Sequence, residues 1–342
     1  METKIFSQDQ IDDAVKLLAQ GELVAFPTET VYGLGAIATN EKAVKNVYKA
    51  KGRPSDNPLI VTVSDAKMMS HYAKEVPERA QKLIKKFWPG PLTLLLYVKP
   101  HSLPKAVTGG LDTVAFRCPN DDLTHQLISK LGYPIVGPSA NTSTKPSPTT
   151  AAHVYHDLKG KIAGIIDGGP TEVGLESTII DLSVATPIVL RPGAVTPAEL
   201  SQVLGEKVLI NSGKVADKDV PKAPGMKYRH YAPSAPVVVV DDPEDFANID
   251  LTNATGVMAL TDVLEKIKLP AANKFNLGKN LLEADHNLFG GLRYFDDKPE
   301  IKQIFVQGFS GSENTLAYMN RLNKAAAGHH YVKSKNFSSK GL

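Results

Sequence analysis

The feature that most restricts the fold of this chain is a polar stretch, residues 209–235, between two segments of alternating helix and strand signals. It includes NSGKVADKDVPKAPGMKYRHYAPS, which lacks hydrophobic periodicity and is rich in Pro, Gly and Lys, as linkers are. The chain has 342 residues, more than one hydrophobic core normally organises. We therefore predict two α/β domains joined by a long linker. The predicted parts are residues 1–208, 209–235, 236–330 and a tail at 331–342.

Composition and targeting signals restrict the class of protein. A hydrophobic fraction of 42% and a charged fraction of 22% are ordinary for a soluble globular enzyme, and a net charge of +3 is too small to indicate nucleic-acid binding. The single cysteine, Cys118, excludes an intramolecular disulfide and a cysteine-based zinc cluster. The segment METKIFSQDQ lacks the features of a signal peptide, and no apolar run approaches the ~20 residues that span a bilayer. We therefore expect a cytoplasmic protein without a membrane segment.

Hydrophobic periodicity predicts the elements of both domains. Ser7 is expected to cap a helix with Ile11, Val15 and Leu18 on one face, and Asn40 a second helix. Strands are predicted at residues 23–26, 59–63, 92–98, 114–117, 162–166, 178–182, 188–190, 237–240, 256–260 and 304–306. The second domain should also contain helices over residues 281–292 and 315–327. This alternation favours layered α/β domains.

Loops that combine glycine or proline with hydroxyls, a carboxamide or arginine recur at the predicted strand ends. They are PTETVYGLG from Pro27, KGRPSDNP from Lys51, GGLDT from Gly109, GPSAN from Gly137, GLEST from Gly174 and RPG from Arg191. Strand ends are where open α/β sheets bind ligands. Hydroxyls, backbone N–H groups and arginines are donors to phosphate or carboxylate oxygens. The loops, with Lys51, Arg53, Arg117 and Arg191, therefore predict a convergent anion site.

The absence of common sequence motifs limits the classes of reaction that the predicted site could catalyse. The sequence has neither the G-x-x-x-x-G-K-[ST] fingerprint nor a strand-linked G-x-G-x-x-G, and none of the nine histidines falls within these loops. Glu29 and Glu176 do lie in glycine-rich loops, where either could be a base or could hold its loop in shape. A site rich in cations and hydroxyls but poor in nucleophiles suits nucleotidyl transfer, in which catalysis is mostly positioning and charge stabilisation.

Two other classes of protein stay open at this stage. A basic α/β surface can hold RNA by phosphate contacts alone, and tight RNA binding with a steep salt dependence but no nucleotide turnover would favour that class. A regulatory protein could sense a nucleotide without turnover, and turnover of the nucleotide would exclude that class.

The loops together resemble the YrdC-like family, and more closely its long form, the two-domain threonylcarbamoyl-AMP synthases. The resemblance rests on PTETVYGLG, KGRPSDNPLIV, WPGPLTL, GGLDTVAFR, GPSANTS, GLESTIIDL and LRPG, and on APGMKYRHYAP in the linker. The linker motif is the most diagnostic, because it occurs in the two-domain form. The resemblance implies a YrdC-like twisted open sheet with helices and a smaller, Rossmann-like C-terminal domain.

The resemblance also implies a reaction. L-threonine, bicarbonate and ATP, with Mg²⁺, would give threonylcarbamoyl-adenylate and pyrophosphate. The magnesium ion is expected to be held through the ATP phosphates, and no metal ligand is assigned in the protein. The product would pass to downstream tRNA-modifying proteins, which form threonylcarbamoyladenosine, and direct tRNA contact is expected to be weak at most.

Site residues follow by motif from the same resemblance. The threonine side would comprise Thr30, Thr62, Arg117, Gly137 and Ser177, with Arg117 on the carboxylate. Lys51 and Arg53 would be the catalytic phosphate-binding pair. The nucleotide would further meet Asn57, Thr113, Ser139, Asn141, Ser147, Arg191 and Tyr231.

One position departs from the family pattern, and one segment suggests a lid. Many relatives have histidine in the strand after NPLIV where this chain has Thr62, so a contact there would be a short, uncharged hydroxyl. Residues 222–233 are predicted to fold over the first-domain cleft and to exclude water from the adenylate.

Overall fold

The computed structural model describes residues 2–55, 57–211, 221–223 and 231–333. The first-domain strands are β1 (Lys4–Phe6), β2 (Val24–Phe26), β3 (Gly33–Ile37), β4 (Ile60–Thr62), β5 (Leu92–Tyr97), β6 (Thr113–Arg117), β7 (Ile135–Val136), β8 (Gly164–Ile166), β9 (Thr178–Asp181), β10 (Ile188–Arg191) and β11 (Leu209–Ile210). The first-domain helices are α1 (Ile11–Ala19), α2 (Glu41–Lys51), α3 (Ala66–Ser70), α4 (Glu78–Phe87), α5 (Lys105–Thr108), α6 (Asp122–Leu131), α7 (Ala151–Leu158) and α8 (Pro197–Leu204).

Within the described ranges, the first-domain strands form one open mixed sheet, in the order β1-β8-β2-β3-β7-β4-β6-β5-β9-β10-β11. Strand β4 runs parallel to β6 and antiparallel to β7, while β5 runs antiparallel to β6 and parallel to β9. Strand β11 pairs with β10, so residues 209–210 of the predicted linker belong to this sheet.

At the centre of the sheet, one face packs against the hydrophobic core and the other face borders a cleft. Side chains alternate between the faces of a strand, and on β6 Val114 and Phe116 join the main hydrophobic core. Ala115 instead packs in a smaller cluster with Ile60 and with Ala223 of the predicted linker. The positions Thr113, Ala115 and Arg117 therefore share the face on which the cleft lies.

Two local expectations change in the structure. Ser7 caps a short 3-10 turn, Gln8–Gln10, rather than α1 itself, which begins one residue later. Gly33 and Gly35, which belong to the predicted loop PTETVYGLG, lie in strand β3. A Cβ on Gly33 would stand 2.5 Å from Cζ of Phe26, so the close approach that this glycine permits is to that ring.

The second domain is a smaller parallel sheet with helices on its faces. Its elements are β12 (Val237–Val240), β13 (Thr255–Ala259), α9 (Thr261–Leu264), β14 (Lys274–Asn276), α10 (Leu281–Asp296), β15 (Gln303–Gln307) and α11 (Leu316–Ala325). The strand order is β12-β15-β13-β14, and all three pairings are parallel. The predicted fold class, an open α/β sheet followed by a smaller α/β domain, is confirmed. The exact domain boundaries stay a prediction.

The chain beyond α11 also differs from expectation. His329 and Tyr331 bond to the backbone of Val239 at 3.0 and 2.8 Å, which adds these residues to the edge of β12. The start of the predicted tail is therefore ordered, and its remainder, 334–342, lies outside the described residues. In the part of the chain that the structure describes, we find no helix of the length and apolarity that a membrane span requires.

Candidate functional site

Five of the six predicted loops converge on a cleft on the open face of the first sheet, whereas GGLDT, residues 109–113, contributes no lining residue. We use the name cleft for the space lined by Val31, Arg53, Ile60, Arg117, Gly137, Pro138, Ser139, Asn141, Ser147, Glu176, Arg191 and Tyr231. A smaller side pocket is lined by Phe26, Thr28, Val31, Gly33, Ile60, Thr62, Arg117, Pro119 and Gly137. The two spaces share four lining residues, among them Arg117, so they form adjoining compartments.

Arg117 is held at the junction of the two compartments by a buried carboxylate. Its Nη2 donates to Oε2 of Glu29 at 2.5 Å, and both side chains are at least 90% buried. Oε1 of Glu29 accepts from the backbone N–H of Asn120 at 3.0 Å. Nε of Arg117 is buried and lacks a hydrogen-bond partner among the described residues. Glu29 therefore orients this arginine.

Thr28, rather than the predicted Thr30, lines the side pocket. The Thr28 hydroxyl donates to the carbonyl of Val31 at 2.6 Å and accepts from the backbone N–H of Thr30 at 3.1 Å. Thr30 is fully buried, and its hydroxyl lies 2.9 Å from that of Thr28. Thr28 lies in the same PTET motif, two residues before Thr30.

Thr62 and Gly137 form the opposite wall of the side pocket. A Cβ on Gly137 would stand 2.5 Å from Oγ1 of Thr62 and 3.0 Å from Cζ of Phe26. Only glycine allows these two segments to approach so closely. The backbone N–H of Gly137 also donates to the carbonyl of Ile60 at 2.9 Å, which fixes the loop to strand β4.

Lys51 is buried and bound to the 139–141 loop. Its ammonium donates to the carbonyl of Ser139, to the carbonyl of Asn141 at 2.7 Å and to Oδ1 of Asn141 at 3.2 Å. Burial, reinforced by the neighbouring Arg53, lowers the pKa of Lys51 well below its usual value. These three acceptors match the three N–H donors of an ammonium group. Its immediate structural effect is thus to shape this loop.

Arg53 and Asn57 occupy the other side of the cleft entrance. Nη2 of Arg53 donates to the carbonyls of Asn57 and Pro58 at 3.3 and 3.1 Å, and its guanidinium lines the cleft. Asn57 is buried, and its Oδ1 lacks a hydrogen-bond partner among the described residues. The two residues bring a cation and a carboxamide to one loop.

The hydroxyls of Ser139 and Ser147 lie on the one loop that joins β7 to α7. Ser139 donates to Oδ1 of Asn141 at 2.6 Å. Ser147 is buried and donates to Oε1 of Glu176 at 2.6 Å. Both serines and Asn141 line the cleft, as predicted from the loops.

Glu176 and Arg191 place opposite charges in the innermost wall. Burial alone would raise the pKa of Glu176, but Arg321, Arg191 and the Ser147 hydroxyl lower it to about 2. Burial lowers the pKa of Arg191 to about 10, so the guanidinium remains charged at neutral pH. Arg191 donates to the carbonyl and hydroxyl of Ser177 at 3.1 and 3.2 Å. The Ser177 hydroxyl is also 2.7 Å from that of Thr93, so Ser177 lies behind Arg191.

Two further predicted residues lie at the margins of the site. Tyr231 is buried, lines the cleft, and packs against Phe289 with ring centroids 5.0 Å apart. The next residue, Ala232, donates its N–H to the carbonyl of Thr144 at 2.9 Å. Thr113 shares a face of β6 with Arg117 but is four residues away, roughly 13 Å along the strand. The middle of the predicted lid, 224–230, lies outside the described residues.

Two arginines of the second domain reach this wall, and the sequence analysis did not select them. Arg321, on α11, donates from Nε to Oε2 of Glu176 at 3.0 Å and is fully buried. Arg293, on α10, donates to both carboxylate oxygens of Asp157 at 3.1 and 3.0 Å. Each arginine sits in an amphipathic helix, where a cation normally indicates a solvated face, so the sequence carried no signal for these contacts.

The carboxylates of the cleft are engaged by arginine. Across the described residues, no group of three or more His, Cys, Asp or Glu side chains is arranged to hold a metal ion. Glu29 and Glu176 are committed to Arg117 and Arg321. Mg²⁺ commonly binds through substrate phosphates and water, so the donor set fits an ion carried in by a nucleotide.

An open α/β sheet whose strand-end loops gather arginines, hydroxyls and carboxamides around a cleft defines a nucleotide-using transferase. Family models agree: residues 16–193 match the Sua5, YciO and YrdC model described as telomere recombination, and residues 195–327 match the threonylcarbamoyl-AMP synthase C-terminal domain. The chain belongs to the threonylcarbamoyl-AMP synthase family, in its two-domain form. The resemblance inferred from the loops is thereby confirmed.

Individual relatives give the same result. The chain is 45% identical to the threonylcarbamoyl-AMP synthase of Pyrococcus abyssi, with 94% of each chain covered, and 44% identical to that of Bacillus subtilis, with 93% of each covered. A crystal structure of P. abyssi Sua5 complexed with L-threonine is similar with a TM-score of 0.88, at 43% identity, over 96% of this chain and 99% of that one. The activity is nucleotidyl transfer that forms threonylcarbamoyl-AMP from L-threonine, bicarbonate and ATP, for threonylcarbamoyladenosine in tRNA.

Proposed function

We propose that the side pocket holds L-threonine and that the cleft holds the phosphates of ATP, with Arg117 between them. The observation that carries this assignment is that Arg117 lines both compartments while Glu29 fixes one end of its guanidinium. A guanidinium matches a carboxylate bidentately. Its buried Nε, which is without a partner among the described residues, is a donor that a substrate carboxylate could satisfy.

The threonine side would be selected by size and by hydroxyl contacts. Phe26 and Gly137 limit the depth of the side pocket, and Thr28 and Thr62 supply hydroxyls at its wall. Because Thr62 is uncharged, an imidazole plays no part at this position in this chain. Thr30 and Ser177 would act one layer back, Thr30 through Thr28 and Ser177 through Arg191.

The nucleotide side would be held by the cations and hydroxyls around the cleft. The guanidinium groups of Arg53 and Arg191 would neutralise negative charge on the phosphates. Ser139, Asn141 and Ser147 line the same cleft. Asn57, whose buried Oδ1 has no partner among the described residues, would donate to the nucleotide from Nδ2. Thr113 would meet the nucleotide further along β6. Lys51 would contribute by holding the 139–141 loop in its binding shape. When bound with ATP, Mg²⁺ would neutralise part of the phosphate charge.

This arrangement suits an adenylation that proceeds by positioning. The threonine amine condenses with bicarbonate to form a carbamate, with loss of water. A carbamate oxygen then attacks the α-phosphorus of ATP as pyrophosphate leaves. Holding two reactants in adjoining compartments converts an encounter in solution into a reaction within one complex. Arginines fixed before the reaction stabilise the charge that develops on the phosphoryl oxygens.

The end of the linker would close the cleft. Tyr231 is seated between the cleft and Phe289, and Ala232 is bonded to the loop at Thr144. At the other end, Ala223 packs against the sheet and Lys222 pairs with Asp181 at 3.0 Å. These contacts at its two described ends support the predicted lid, which would exclude water from the adenylate; its middle, residues 224–230, lies outside the described residues.

Pyrophosphate release from ATP, with threonine and bicarbonate omitted in turn, tests the proposal. We expect release only with both present. Turnover without threonine, or tRNA binding with a steep salt slope but no turnover, would contradict it.

An Arg117→Ala variant should lose its dependence on threonine concentration in the working range. Full retention of the threonine dependence would reject the assignment of Arg117 to the carboxylate. Downstream tRNA-modifying proteins would take the product in the cytoplasm, with weak direct tRNA contact at most.

A further inference from the structure

We propose that Arg321 of the second domain is a positioning residue for ATP: by pairing with Glu176, it keeps Arg191 directed to the phosphates. The second domain would then complete the nucleotide site rather than only support the chain. This inference depends on the proposed placement of the ATP phosphates against Arg191.

Arg321 joins the second domain to two first-domain loops. Besides its 3.0 Å bond to Oε2 of Glu176, it donates from Nη2 to the backbone carbonyl of Glu176 at 3.0 Å and from Nη1 to the carbonyl of Pro192. It is the largest fully buried side chain in the described part of the protein. A guanidinium with contacts to two loops fixes how those loops sit relative to α11.

Glu176 connects Arg321 to side chains that line the cleft. Oε1 accepts the hydroxyl of Ser147 at 2.6 Å while Oε2 accepts Arg321, and the Tyr231 side chain also hydrogen-bonds to the carboxylate. Ser147, Glu176 and Tyr231 all line the cleft. One carboxylate therefore sets the position of a predicted nucleotide-binding hydroxyl and of the closing aromatic ring.

The charges in this wall show why Arg321 matters for Arg191. Both guanidiniums attract the carboxylate of Glu176 and repel each other. A buried charge left without its partner is strongly unfavourable. Without Arg321, the carboxylate would draw in Arg191, the other guanidinium that interacts with it, and remove that guanidinium from the phosphate position.

Arg293 restrains the same wall from the other side. Its Nη2 donates to the carbonyl of Pro146 at 2.5 Å, and its Nε to the carbonyl of Ser147 at 3.4 Å. Ser147 is thus held through its backbone by Arg293 and through its hydroxyl by Glu176. Two helices of the second domain therefore restrain Ser147: α10 directly through Arg293, and α11 through Arg321 and Glu176.

Steady-state kinetics of three variants test the proposal: Arg321→Gln, Glu176→Gln and the double variant. For Arg321→Gln we expect the KM for ATP to rise at least about tenfold, equivalent to about 1.4 kcal/mol, with a smaller change in the KM for threonine. The double variant should recover most of the loss, because the carboxylate that would capture Arg191 is gone. The matched control is Arg79→Gln on α4, which breaks the 2.6 Å ion pair of Arg79 with Glu206.

A KM for ATP in the double variant as high as that in Arg321→Gln would overturn the proposal. If Arg321 had only a structural role, the Glu176→Gln change would not restore ATP affinity. If Arg321→Gln does not fold, Arg321→Lys replaces it: partial ATP affinity supports the proposal, and unchanged ATP affinity overturns it. Arg191→Ala separates this inference from the proposed site. An unchanged KM for ATP in that variant would reject the phosphate site itself, whereas a raised value beside a normal Arg321→Gln would reject only the role of Arg321.

Discussion

Nη2 of Arg117 and Oε2 of Glu29 are 2.5 Å apart in the buried wall between the two compartments of the site. The pair joins strand β6 to the loop after β2, and the second oxygen of Glu29 is held by the N–H of Asn120. The direction of the Arg117 guanidinium is therefore set by the fold before any substrate arrives. Such preorganisation lowers the cost of orienting a ligand.

Glu29→Gln should loosen this orientation. The amide keeps the size of the side chain but replaces a charge-assisted bond with a neutral one, which is roughly half as strong. We expect the KM for threonine to rise about tenfold, corresponding to about 1.4 kcal/mol, with a much smaller change for ATP. Glu78→Gln is a matched control, because the Glu78 side chain is 79% exposed. An unchanged KM for threonine would show that Arg117 needs no help from Glu29.

Gly137→Ala should obstruct the side pocket. The added Cβ would stand 2.5 Å from Oγ1 of Thr62, so the pocket wall must shift. We expect a rise of tenfold or more in the KM for threonine, measured by pyrophosphate release. Gly290→Ala in α10 is the control, since its Cβ would meet Cζ of Phe275 at an ordinary 3.8 Å. Normal threonine kinetics in Gly137→Ala would place the threonine elsewhere.

Lys51→Met should disorganise the 139–141 loop. It removes the donor that three oxygens of Ser139 and Asn141 share, and buried polar groups left unsatisfied each cost about 1–3 kcal/mol. We expect a lower thermal midpoint together with a higher KM for ATP. Exposed Lys49, in the same helix, provides the control variant Lys49→Met. A drop in kcat at unchanged stability and KM would instead indicate direct contact with the reacting phosphate.

Tyr231→Ala should open the cleft. The variant loses both the ring that packs on Phe289 and the hydroxyl bonded to Glu176. We expect about a tenfold rise in the KM for ATP, or more hydrolysed adenylate per pyrophosphate released. Tyr231→Phe keeps the ring and should show a smaller effect. If Tyr231→Ala has the kinetics of the parent protein, the linker is not a lid.

Asp285→Asn should make stability less dependent on pH. Burial, opposed by Arg321, raises the pKa of Asp285 from 3.8 to about 7, and its buried Oδ1 lacks a partner among the described residues. A carboxyl whose pKa is raised by folding stabilises the protein fully below pH 3.8, and that contribution is lost as the pH rises through 7.

At pH 8 the free energy of unfolding of the variant, measured by urea denaturation, should therefore exceed that of the parent by up to roughly 4 kcal/mol, and the difference should shrink towards pH 4. Asp262→Asn, at an exposed position, is the control. Equal gains at both pH values would mean that Asp285 does not titrate between them.

Sequence reasoning worked best where the determinants are local. The glycine and proline loops were recognisable from short motifs. Nine of the predicted site residues line the two compartments: Arg53, Thr62, Arg117, Gly137, Ser139, Asn141, Ser147, Arg191 and Tyr231. It was less accurate about which side chain in a motif faces the site. Thr28 takes the wall position predicted for Thr30, and Lys51 is turned towards a loop rather than towards open space.

The sequence by itself determined the two α/β domains, the linker, the loops at strand ends and the family, because each depends on residues close together in the chain. Only the tertiary structure decided that Arg293 and Arg321 reach across the domain boundary and that Glu29 belongs to Arg117. These contacts join residues 88 to 147 positions apart. No local periodicity encodes such a pairing, because it depends on how separately formed helices and strands pack together.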